Sequence, residues 1–323
     1  MLAIAACALA LSPSTSPKLS ASPPPKLPNS IEIAPDVWMP LVGLGLWQYN
    51  SSVAEYAVTK ALALGYPLID HALGYKNADG VARALKASPR PRNSYFLATK
   101  IPGGLSFVNA TLALEQVLDE LGVEYVDLVS THFPAGWDGS MGGRAARRAQ
   151  WQAMEAFALA GKARSIGVSH YCPRHLDDLL SDPSLIIKPA ANQVEYHIGM
   201  GTAGVNATDG PAIMKQHGVS YLSFSTLCGP CGDAAHKELI SGETVTKIGK
   251  KYGKSGAQVS LKWAVQQGIP VVPKSSNEDH LKENLDLFGW ELSAADMKEL
   301  TALKHPPVTG GGDGKTSGDC KVP

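Results

Sequence analysis

Residues 95–133 read YFLATKIPGGLSFVNATLALEQVLDELGVEYVDLVSTHF and contain two apolar runs with a helical pattern between them. The runs Tyr95–Lys100 and Val126–Phe133 are short and nearly continuous, which is typical of strands that are covered on both faces. From Leu114 onward, apolar residues recur at i, i+3, i+4 and i+7, which is the spacing of one helix face. The stretch therefore predicts a β-α-β unit, in which a helix connects two parallel strands.

The same alternation extends through most of the 323-residue chain. The apolar runs are Leu41–Trp47, Pro67–Ala72, Tyr95–Lys100, Val126–Phe133, Ala163–Ser169, Ala190–Tyr196, Ser220–Thr226 and Ile269–Ser275. Eight strand and helix units of this kind match a (β/α)8 TIM barrel, which has about 250 residues. We therefore predict one α/β domain of this type over residues 30–305, with a doubly wound open sheet as the alternative.

Two additions to the barrel are expected. The segment Ile31–Met39, with a turn at Pro35 and Asp36, is predicted to form an N-terminal β-hairpin that plugs the barrel floor. Extra C-terminal helices are also expected, one of them between Glu243 and Lys251, before the last strand.

Both ends of the chain are predicted to lie outside this domain. Residues 1–29 combine an apolar run, Leu2–Leu11, with a Ser- and Pro-rich linker. The run is too short to span a bilayer, which takes about 20 residues, but it fits the apolar part of a signal peptide. Against this interpretation, the first basic residue is Lys18. A cytoplasmic protein is expected unless this segment is a signal or transit peptide, and residues 306–323 are expected to form a Gly-rich tail.

The composition excludes several classes of protein. Hydrophobic residues make up 44% and charged residues 18% of the chain, which favours a globular protein over a disordered one. Lys and Arg together number 29, as do Asp and Glu, so the formal net charge is zero and no nucleic-acid partner is predicted. Five cysteines are too few for a disulfide framework in a chain of this length, and no membrane span is predicted.

Ionisable side chains lie where several predicted strands end. Asp70, Lys100 and His132 lie at the ends of the second, third and fourth runs, and Tyr75 follows Asp70 by five residues. Singly, each has a structural explanation, such as a loop cap or a core imidazole. In a barrel, however, the carboxyl ends of the strands form one mouth, where active sites lie. We therefore expect the four side chains to meet there.

Together these four residues form a chemical unit. A carboxylate fixes the ammonium, and the ammonium stabilises a phenolate and so lowers the pKa of the phenol. The phenol can then protonate a carbonyl oxygen as a hydride reaches the carbonyl carbon, while the imidazole orients that oxygen. The predicted chemistry is carbonyl reduction.

The sequence also contains a series of motifs in a defined order. They are Gly43-Leu44-Gly45-Leu46-Trp47, Leu68-Ile69-Asp70, Tyr75-Lys76-Asn77, Ala98-Thr99-Lys100, Tyr125-Val126-Asp127-Leu128, His132-Phe133-Pro134, Arg164-Ser165-Ile166-Gly167-Val168-Ser169, Asn192-Gln193-Val194-Glu195, Val272-Pro273-Lys274-Ser275 and Glu283-Asn284. With these motifs the chain resembles the aldo-keto reductases from Met39 to about Leu303. The resemblance implies a small carbonyl substrate, a monomer, and a catalytic tetrad of Asp70, Tyr75 as general acid, Lys100 and His132.

The resemblance further implies a nicotinamide cofactor, NADP(H) and possibly also NAD(H), bound without the Gly-rich Rossmann turn that this sequence lacks. By resemblance, the cofactor-binding residues are Ser169, His170, Gln193, Phe224, Ser225, Leu227, Lys274, Ser275, His280, Glu283 and Asn284. Of these, Lys274 and Ser275 are placed to meet the adenosine 2′-phosphate at the start of a helix near Asn277. A capping box of Ser276 and Asp279 is the structural alternative at this helix end.

Five positions depart from the family pattern, among them His170 in place of an Asn and Phe224 in place of a Tyr. His280 replaces an Arg, and because imidazole is mostly neutral at pH 7, the preference for NADPH over NADH is expected to be modest. Pro102 and Phe133 stand where the family often has Trp. Trp47 and Phe133 are therefore the predicted pocket residues, and the pocket is expected to be wider and less aromatic than is usual in the family. The sequence does not identify the natural substrate.

The segment Cys228-Gly229-Pro230-Cys231 has the spacing of a thioredoxin-like dithiol. Here it follows the seventh predicted strand instead of opening a helix in a small domain, so a thioredoxin function is not expected. Redox gating of cofactor binding stays open as an alternative. So does a cofactor-binding sensor or accessory subunit with little turnover, which the altered contacts at His170 and His280 suggest. No regular zinc-ligand spacing joins the cysteines and histidines, so no metal is predicted.

Overall fold

The structure is a computed structural model that describes residues 26–200, 210–228 and 233–304. The predictions for most of the leader and for the C-terminal tail fall outside these residues.

Within the described residues the chain forms nine strands and eleven α-helices. The strands are β1 (Ser30–Ala34), β2 (Val37–Pro40), β3 (Leu44–Gly45), β4 (Leu68–Asp70), β5 (Phe96–Ile101), β6 (Val126–Thr131), β7 (Ala163–Ser169), β8 (Ala191–Glu195) and β9 (Ser220–Phe224). The helices are α1 (Ser51–Ala63), α2 (Ala78–Ala87), α3 (Phe107–Leu121), α4 (Arg144–Leu159), α5 (Pro173–Leu180), α6 (Pro211–Gln216), α7 (Asp233–Ser241), α8 (Glu243–Tyr252), α9 (Gly256–Val265), α10 (Glu278–Leu285) and α11 (Ala294–Ala302).

Strands β3 to β9 form one parallel sheet, in which the order of the strands follows the order of the chain. Val271 closes the sheet into a ring, because it makes parallel bridges both with Val42, beside β3, and with Ser223 in β9. The predicted barrel is therefore confirmed. The eighth apolar run contributes only these bridges and not a strand, since Pro270 and Pro273 have no N–H to donate to a ladder.

The hairpin of β1 and β2 covers one end of the barrel. Its two strands pair antiparallel, as predicted. Val37 and Met39 join an interior cluster with Leu68, Phe96 and Leu128. The residues that directly follow them along the strands, Ile69, Leu97 and Val129, belong instead to the larger cluster between the sheet and the helices. Because Leu68 and Phe96 are the first residues of their strands, the hairpin plugs the amino-terminal end and leaves the carboxyl ends of the strands as the mouth.

Local sequence sets the helix ends. α3 begins after Ser106, whose hydroxyl accepts from the Asn109 N–H, and ends at Gly122 with φ of 64°, a left-handed conformation that suits glycine. The expected extra helix before the last bridge is α8, whereas α7 was not predicted. Among the described residues, none of the helices combines the length and the apolar character needed to cross a membrane.

Candidate active site

The carboxyl ends of β4, β5 and β6 bring three of the predicted catalytic residues to the mouth. Asp70 is the last residue of β4, Lys100 lies one residue before the end of β5, and His132 directly follows β6. Lys100 Nζ lies 2.7 Å from each carboxylate oxygen of Asp70. The two side chains are only 4% and 6% exposed. Burial makes each charge depend on its partner, so this ion pair fixes the position of the ammonium.

Tyr75 reaches the same ammonium from a neighbouring loop. A short 3₁₀ turn, Leu73–Tyr75, follows β4 and ends at Lys76, which has the left-handed φ of 55°. This turn directs the phenol back toward the strand ends. There Lys100 Nζ donates to Tyr75 Oη at 3.4 Å and to the His71 carbonyl at 3.1 Å. The structure thus assembles Asp70, Lys100 and Tyr75 into one hydrogen-bonded group.

The pKa of Tyr75 differs from the expectation drawn from the sequence. Burial, and then the Asp70 carboxylate, raise the pKa of the phenol well above its ordinary value of 10. Burial also lowers the pKa of Lys100, although Asp70 acts in the opposite direction. The expectation that the pKa of Tyr75 lies below its ordinary value is therefore wrong. The Lys100 ammonium, 3.4 Å away, favours the phenolate, but burial and the Asp70 carboxylate outweigh it. Tyr75 keeps its proton at neutral pH, which is the form that a general acid needs.

His132 lies edge-on to Tyr75, with ring centroids 5.6 Å apart and an angle of 71° between the planes. Burial, and then the positive charge of Lys100, lower the pKa of His132 well below its ordinary value of 6.5. The ring is therefore neutral and offers one N–H and one lone pair. It can orient an oxygen atom beside the phenol without competing with Tyr75 as the acid.

Aromatic rings continue from His132 across the mouth. Phe133 stacks on His132 at 4.9 Å and on His170 at 4.5 Å, and His170 lies 5.0 Å from Phe224. Trp137 meets Phe133 edge-on at 4.7 Å and is 58% exposed. Trp137 was not predicted, although it is the one aromatic residue of the Gly-rich segment 135–143 that follows Phe133 and Pro134. This side of the mouth is therefore more aromatic than expected.

A second buried imidazole, not predicted, lies beside the catalytic group. His71 directly follows Asp70, and its Nδ1 lies 3.0 Å from Thr99 Oγ1. Among the described residues its Nε2 has no hydrogen-bond partner. Burial, and then the charge of Lys100, lower the pKa of His71 to about 3. The sequence signal that could have identified His71 is its place at the end of the run Ile69-Asp70-His71.

Three of the predicted cofactor residues form a hydrogen-bonded group next to Asp70. Gln193 Nε2 donates to Asp70 Oδ2 at 3.3 Å. The Ser169 hydroxyl and the His170 N–H both donate to the Gln193 carbonyl, at 2.8 and 3.0 Å. Phe224 is half-buried beside His170 at the end of β9. An amide, a hydroxyl and an aromatic face are the groups that fit a planar nicotinamide with its carboxamide.

The residues predicted to meet phosphate lie around the start of α10. Lys274 is exposed, and its Nζ donates to Gln48 Oε1, in the loop after β3, at 3.0 Å. Asn277 caps α10, because its side chain accepts from the N–H groups of Asp279 and His280. The alternative capping box at Ser276 is therefore wrong by one residue. His280 is exposed on the first turn of the helix.

The remaining predicted residues occupy varied environments. Glu283 accepts from Ser255 Oγ at 3.0 Å, and Asn284 is buried beside Tyr66, so both hold α10 against its neighbours. In the turn after β9, Ser225 has a left-handed φ of 53°, and the Leu227 carbonyl accepts from His236 Nδ1 at 2.6 Å. Near α10, Ser275 Oγ accepts from the Asn277 N–H at 3.1 Å. Trp47, predicted to line the pocket, is 43% exposed.

Comparison with known proteins identifies the family and agrees with the fold. Residues 41–305 match the Aldo/keto reductase family. A glyoxal reductase of Bacillus subtilis is 34% identical over 289 residues, which cover 89% of this chain and 97% of the relative. A probable NAD(P)H-dependent D-xylose reductase of Emericella nidulans is 32% identical, with 85% of this chain and 93% of the relative covered. Among solved structures, an aldo-keto reductase from a Medee basin deep-sea metagenome library superposes with a TM-score of 0.76 at 29% identity, over 87% of this chain and 97% of that one. This chain therefore belongs to the aldo/keto reductase family and is an NAD(P)H-dependent oxidoreductase.

Proposed function

We propose that this protein reduces the carbonyl group of a small aldehyde or ketone to an alcohol, with NADPH as the hydride donor and Tyr75 as the general acid. The supporting observation is the group in which Lys100 hydrogen-bonds both Asp70 and Tyr75 at the barrel mouth. Residues 30–305 form the catalytic domain in this proposal. The similarity to a glyoxal reductase favours small aldehydes as the first substrates to test.

Tyr75 supplies the proton in this reaction. When bound, the reduced nicotinamide supplies a hydride to the carbonyl carbon, and negative charge develops on the carbonyl oxygen. Tyr75 donates its phenolic proton to that oxygen. The transfer is favourable despite the raised pKa of Tyr75, because an alkoxide is a much stronger base than a phenolate. Lys100 Nζ, 3.4 Å from Tyr75 Oη, then stabilises the phenolate until solvent returns the proton.

The neighbouring residues position the carbonyl group. His132 is neutral, so its N–H can bind the carbonyl oxygen and hold it against the phenol. Phe133, Trp137 and Trp47 supply apolar surface around the substrate, which excludes water from the developing charge.

The cofactor-binding residues proposed here fall into two groups. Ser169, His170, Gln193 and Phe224 hold the nicotinamide end. Ser225, Leu227, Lys274, Ser275, His280, Glu283 and Asn284 lie toward the pyrophosphate and adenosine. The exposed ammonium of Lys274 favours the 2′-phosphate of NADPH, while the replacement of Arg by His280 leaves room for NADH.

The test is a comparison of Tyr75→Phe with the parent protein on a panel of small aldehydes, including dicarbonyls, followed by the loss of cofactor absorbance. Loss of a general acid lowers kcat by about 10²- to 10⁴-fold. The Kd for NADPH should stay the same, because the phenol acts on the substrate. Tyr56→Phe is the matched control, since Tyr56 is 50% exposed on α1 and its loss should leave kcat unchanged.

Two outcomes would count against this function. If Tyr75→Phe is as active as the parent, Tyr75 is not the acid. If the parent binds NADPH tightly but turns over none of the carbonyl compounds, a cofactor-binding sensor becomes the better explanation.

A further inference from the structure

A second polar cluster lies beside β8 and β9 and takes no part in the proposed reduction. Glu195 ends β8, His197 follows two residues later, and Cys228 lies in the turn after β9. All three residues are buried, at 2%, 0% and 0% exposure. His197 Nε2 lies 3.2 Å from Cys228 Sγ and 3.9 Å from Glu195 Oε1. Cys228 Sγ lies 3.9 Å from the same carboxylate oxygen. In the part of the chain that the structure describes, this is the one group of three such side chains arranged to hold a metal ion.

The orientation of His197 suits a metal ligand. Its Nδ1 lies 2.6 Å from the Ile198 carbonyl oxygen, which can only accept a hydrogen bond. Nδ1 therefore carries the proton, and the lone pair of Nε2 faces Cys228 and Glu195. Histidines that bind metals generally make this second contact, because it fixes the tautomer and the plane of the ring.

Cys228 is disulfide-bonded in this structure, and its partner lies outside the described residues. A disulfide sulfur carries no charge and cannot serve as a thiolate ligand. A dithiol reductant breaks the bond with two electrons and two protons, yielding two thiols, while the reductant itself becomes a cyclic disulfide. Reduction thus creates a thiol at Cys228 next to the lone pair of His197.

We propose that, once this disulfide is reduced, Glu195, His197 and Cys228 form a Zn²⁺ site. Tetrahedral zinc with bond lengths of about 2.3 Å to sulfur and about 2.0–2.2 Å to nitrogen and oxygen sets its ligand atoms about 3.4–3.6 Å apart. The observed separations of 3.2, 3.9 and 3.9 Å differ from this range by about 0.5 Å or less. Small side-chain movements therefore suffice to bind the metal, and the fourth position is left to water or another donor.

The charges of the cluster also match zinc. When the metal binds, the Cys228 thiol releases its proton to solvent, as metal-bound cysteines do. Thiolate and carboxylate then carry two negative charges, which Zn²⁺ balances.

Zinc in this position would tether the turn that joins β9 to Cys228. The Cys228 N–H donates to the Ser225 carbonyl at 2.6 Å. The turn also contains Leu227, and Ser225 and Leu227 are proposed to lie near the cofactor. A change in cofactor affinity on zinc binding is therefore expected, and this consequence alone rests on the proposed function.

The experiment measures zinc directly in the full-length protein. One sample is treated with a dithiol reductant and the other is left oxidised. Both are then incubated with Zn²⁺, desalted without oxygen and analysed for metal by mass spectrometry. We expect about one zinc per chain in the reduced sample and none in the oxidised one. Replacing zinc by Co²⁺ in the reduced sample should add a thiolate-to-cobalt charge-transfer absorption.

Variants assign the zinc to this cluster. Cys228→Ser should abolish zinc retention and the charge-transfer absorption. Glu195→Gln preserves the shape of the side chain, and it should weaken zinc binding at least about tenfold in competition with a chromophoric chelator. Cys172→Ser is the matched control, because Cys172 is also buried and lies 3.6 Å from a histidine nitrogen, that of His175. This control should bind zinc like the parent.

Several results would overturn the proposal. They are equal zinc binding by oxidised and reduced protein, full retention of zinc by Cys228→Ser, and unchanged affinity in Glu195→Gln. Should Cys228→Ser fail to fold, as judged by circular dichroism, Glu195→Gln and the oxidised parent still decide the question. None of these measurements depends on reductase activity, so the zinc site and the proposed function can fail separately.

Discussion

Asp70→Asn tests the buried ion pair on which the site is built. Lys100 Nζ lies 2.7 Å from both Asp70 oxygens, and the two side chains are 4% and 6% exposed. At this distance, with an effective dielectric constant near 20, the attraction is about 6 kcal/mol before desolvation is subtracted. Removing the carboxylate charge leaves the ammonium buried without a counter-charge. The free energy of unfolding should therefore fall by about 3–5 kcal/mol.

The substitution should also affect the chemistry. Burial already lowers the pKa of Lys100, and the Asp70 charge acts against that shift. Without Asp70 the pKa of Lys100 falls further, so the ammonium loses its proton more readily. The Tyr75 phenolate then loses its stabilising charge, and kcat should fall together with stability.

Thermal unfolding at pH 7 measures the effect. A protein of this size loses about 1.5–2 °C in Tm per kcal/mol, so Asp70→Asn should lower Tm by about 5–10 °C. Lys100→Met and the double variant complete a cycle. The double variant contains neither charge, so its loss of stability should be smaller than the sum of the single losses by more than about 1 kcal/mol.

Lys60→Met is the control for this cycle. Lys60 pairs with Glu278 at 3.1 Å, but the two side chains are 38% and 40% exposed, so the loss of this pair should not shift Tm measurably. A shift below about 2 °C for Asp70→Asn, or strictly additive losses in the cycle, would refute the argument that each buried charge depends on the other.

Three further predictions concern residues around the mouth. His71 has a folded pKa of about 3 against 6.5 when unfolded, so the unfolded chain binds the extra proton as pH falls below 6.5. The stability associated with the neutral, buried His71 is therefore fully present above pH 6.5 and is lost as the pH falls below that value. The free energy of unfolding, measured in urea titrations, should therefore fall by about 2 kcal/mol less in His71→Gln than in the parent between pH 6.5 and 5. If the dependence on pH is the same in both proteins, His71 is not the cause of the loss. Trp137→Ala removes an exposed ring beside Phe133 at the mouth; loss of one aromatic contact with the substrate, worth about 0.5–1.5 kcal/mol, should raise KM for aromatic aldehydes about 2- to 10-fold while kcat holds. An equal change for formaldehyde-sized substrates would refute this role of Trp137. His280→Arg should raise the ratio of NADPH to NADH affinity about tenfold or more, because guanidinium binds phosphate bidentately, and an unchanged ratio in cofactor titrations would exclude this position from the phosphate site.

Local patterns in the sequence predicted the parts of the structure that depend on short-range physics. Continuous apolar runs separated by helical spacing predict a parallel sheet covered by helices, and the number of runs, eight, favoured a barrel over an open sheet. Because parallel strands end at one edge, the meeting of Asp70, Lys100 and His132 followed as well. Pattern alone did not show that Pro270 and Pro273 reduce the eighth strand to the single bridges of Val271, although the missing N–H groups were visible in the sequence.

The sequence by itself determined the fold class, the family resemblance and the set of four catalytic candidates. Only the tertiary structure decided the protonation of Tyr75, since its pKa depends on how deeply the phenol is buried and on the relative distances of Asp70 and Lys100. Only the tertiary structure brought Trp137 against Phe133, and Cys228 against His197. The physical reason is the same in each case. Burial and electrostatic interaction depend on distances of a few ångströms between segments far apart in the chain, and neither composition nor spacing carries those distances.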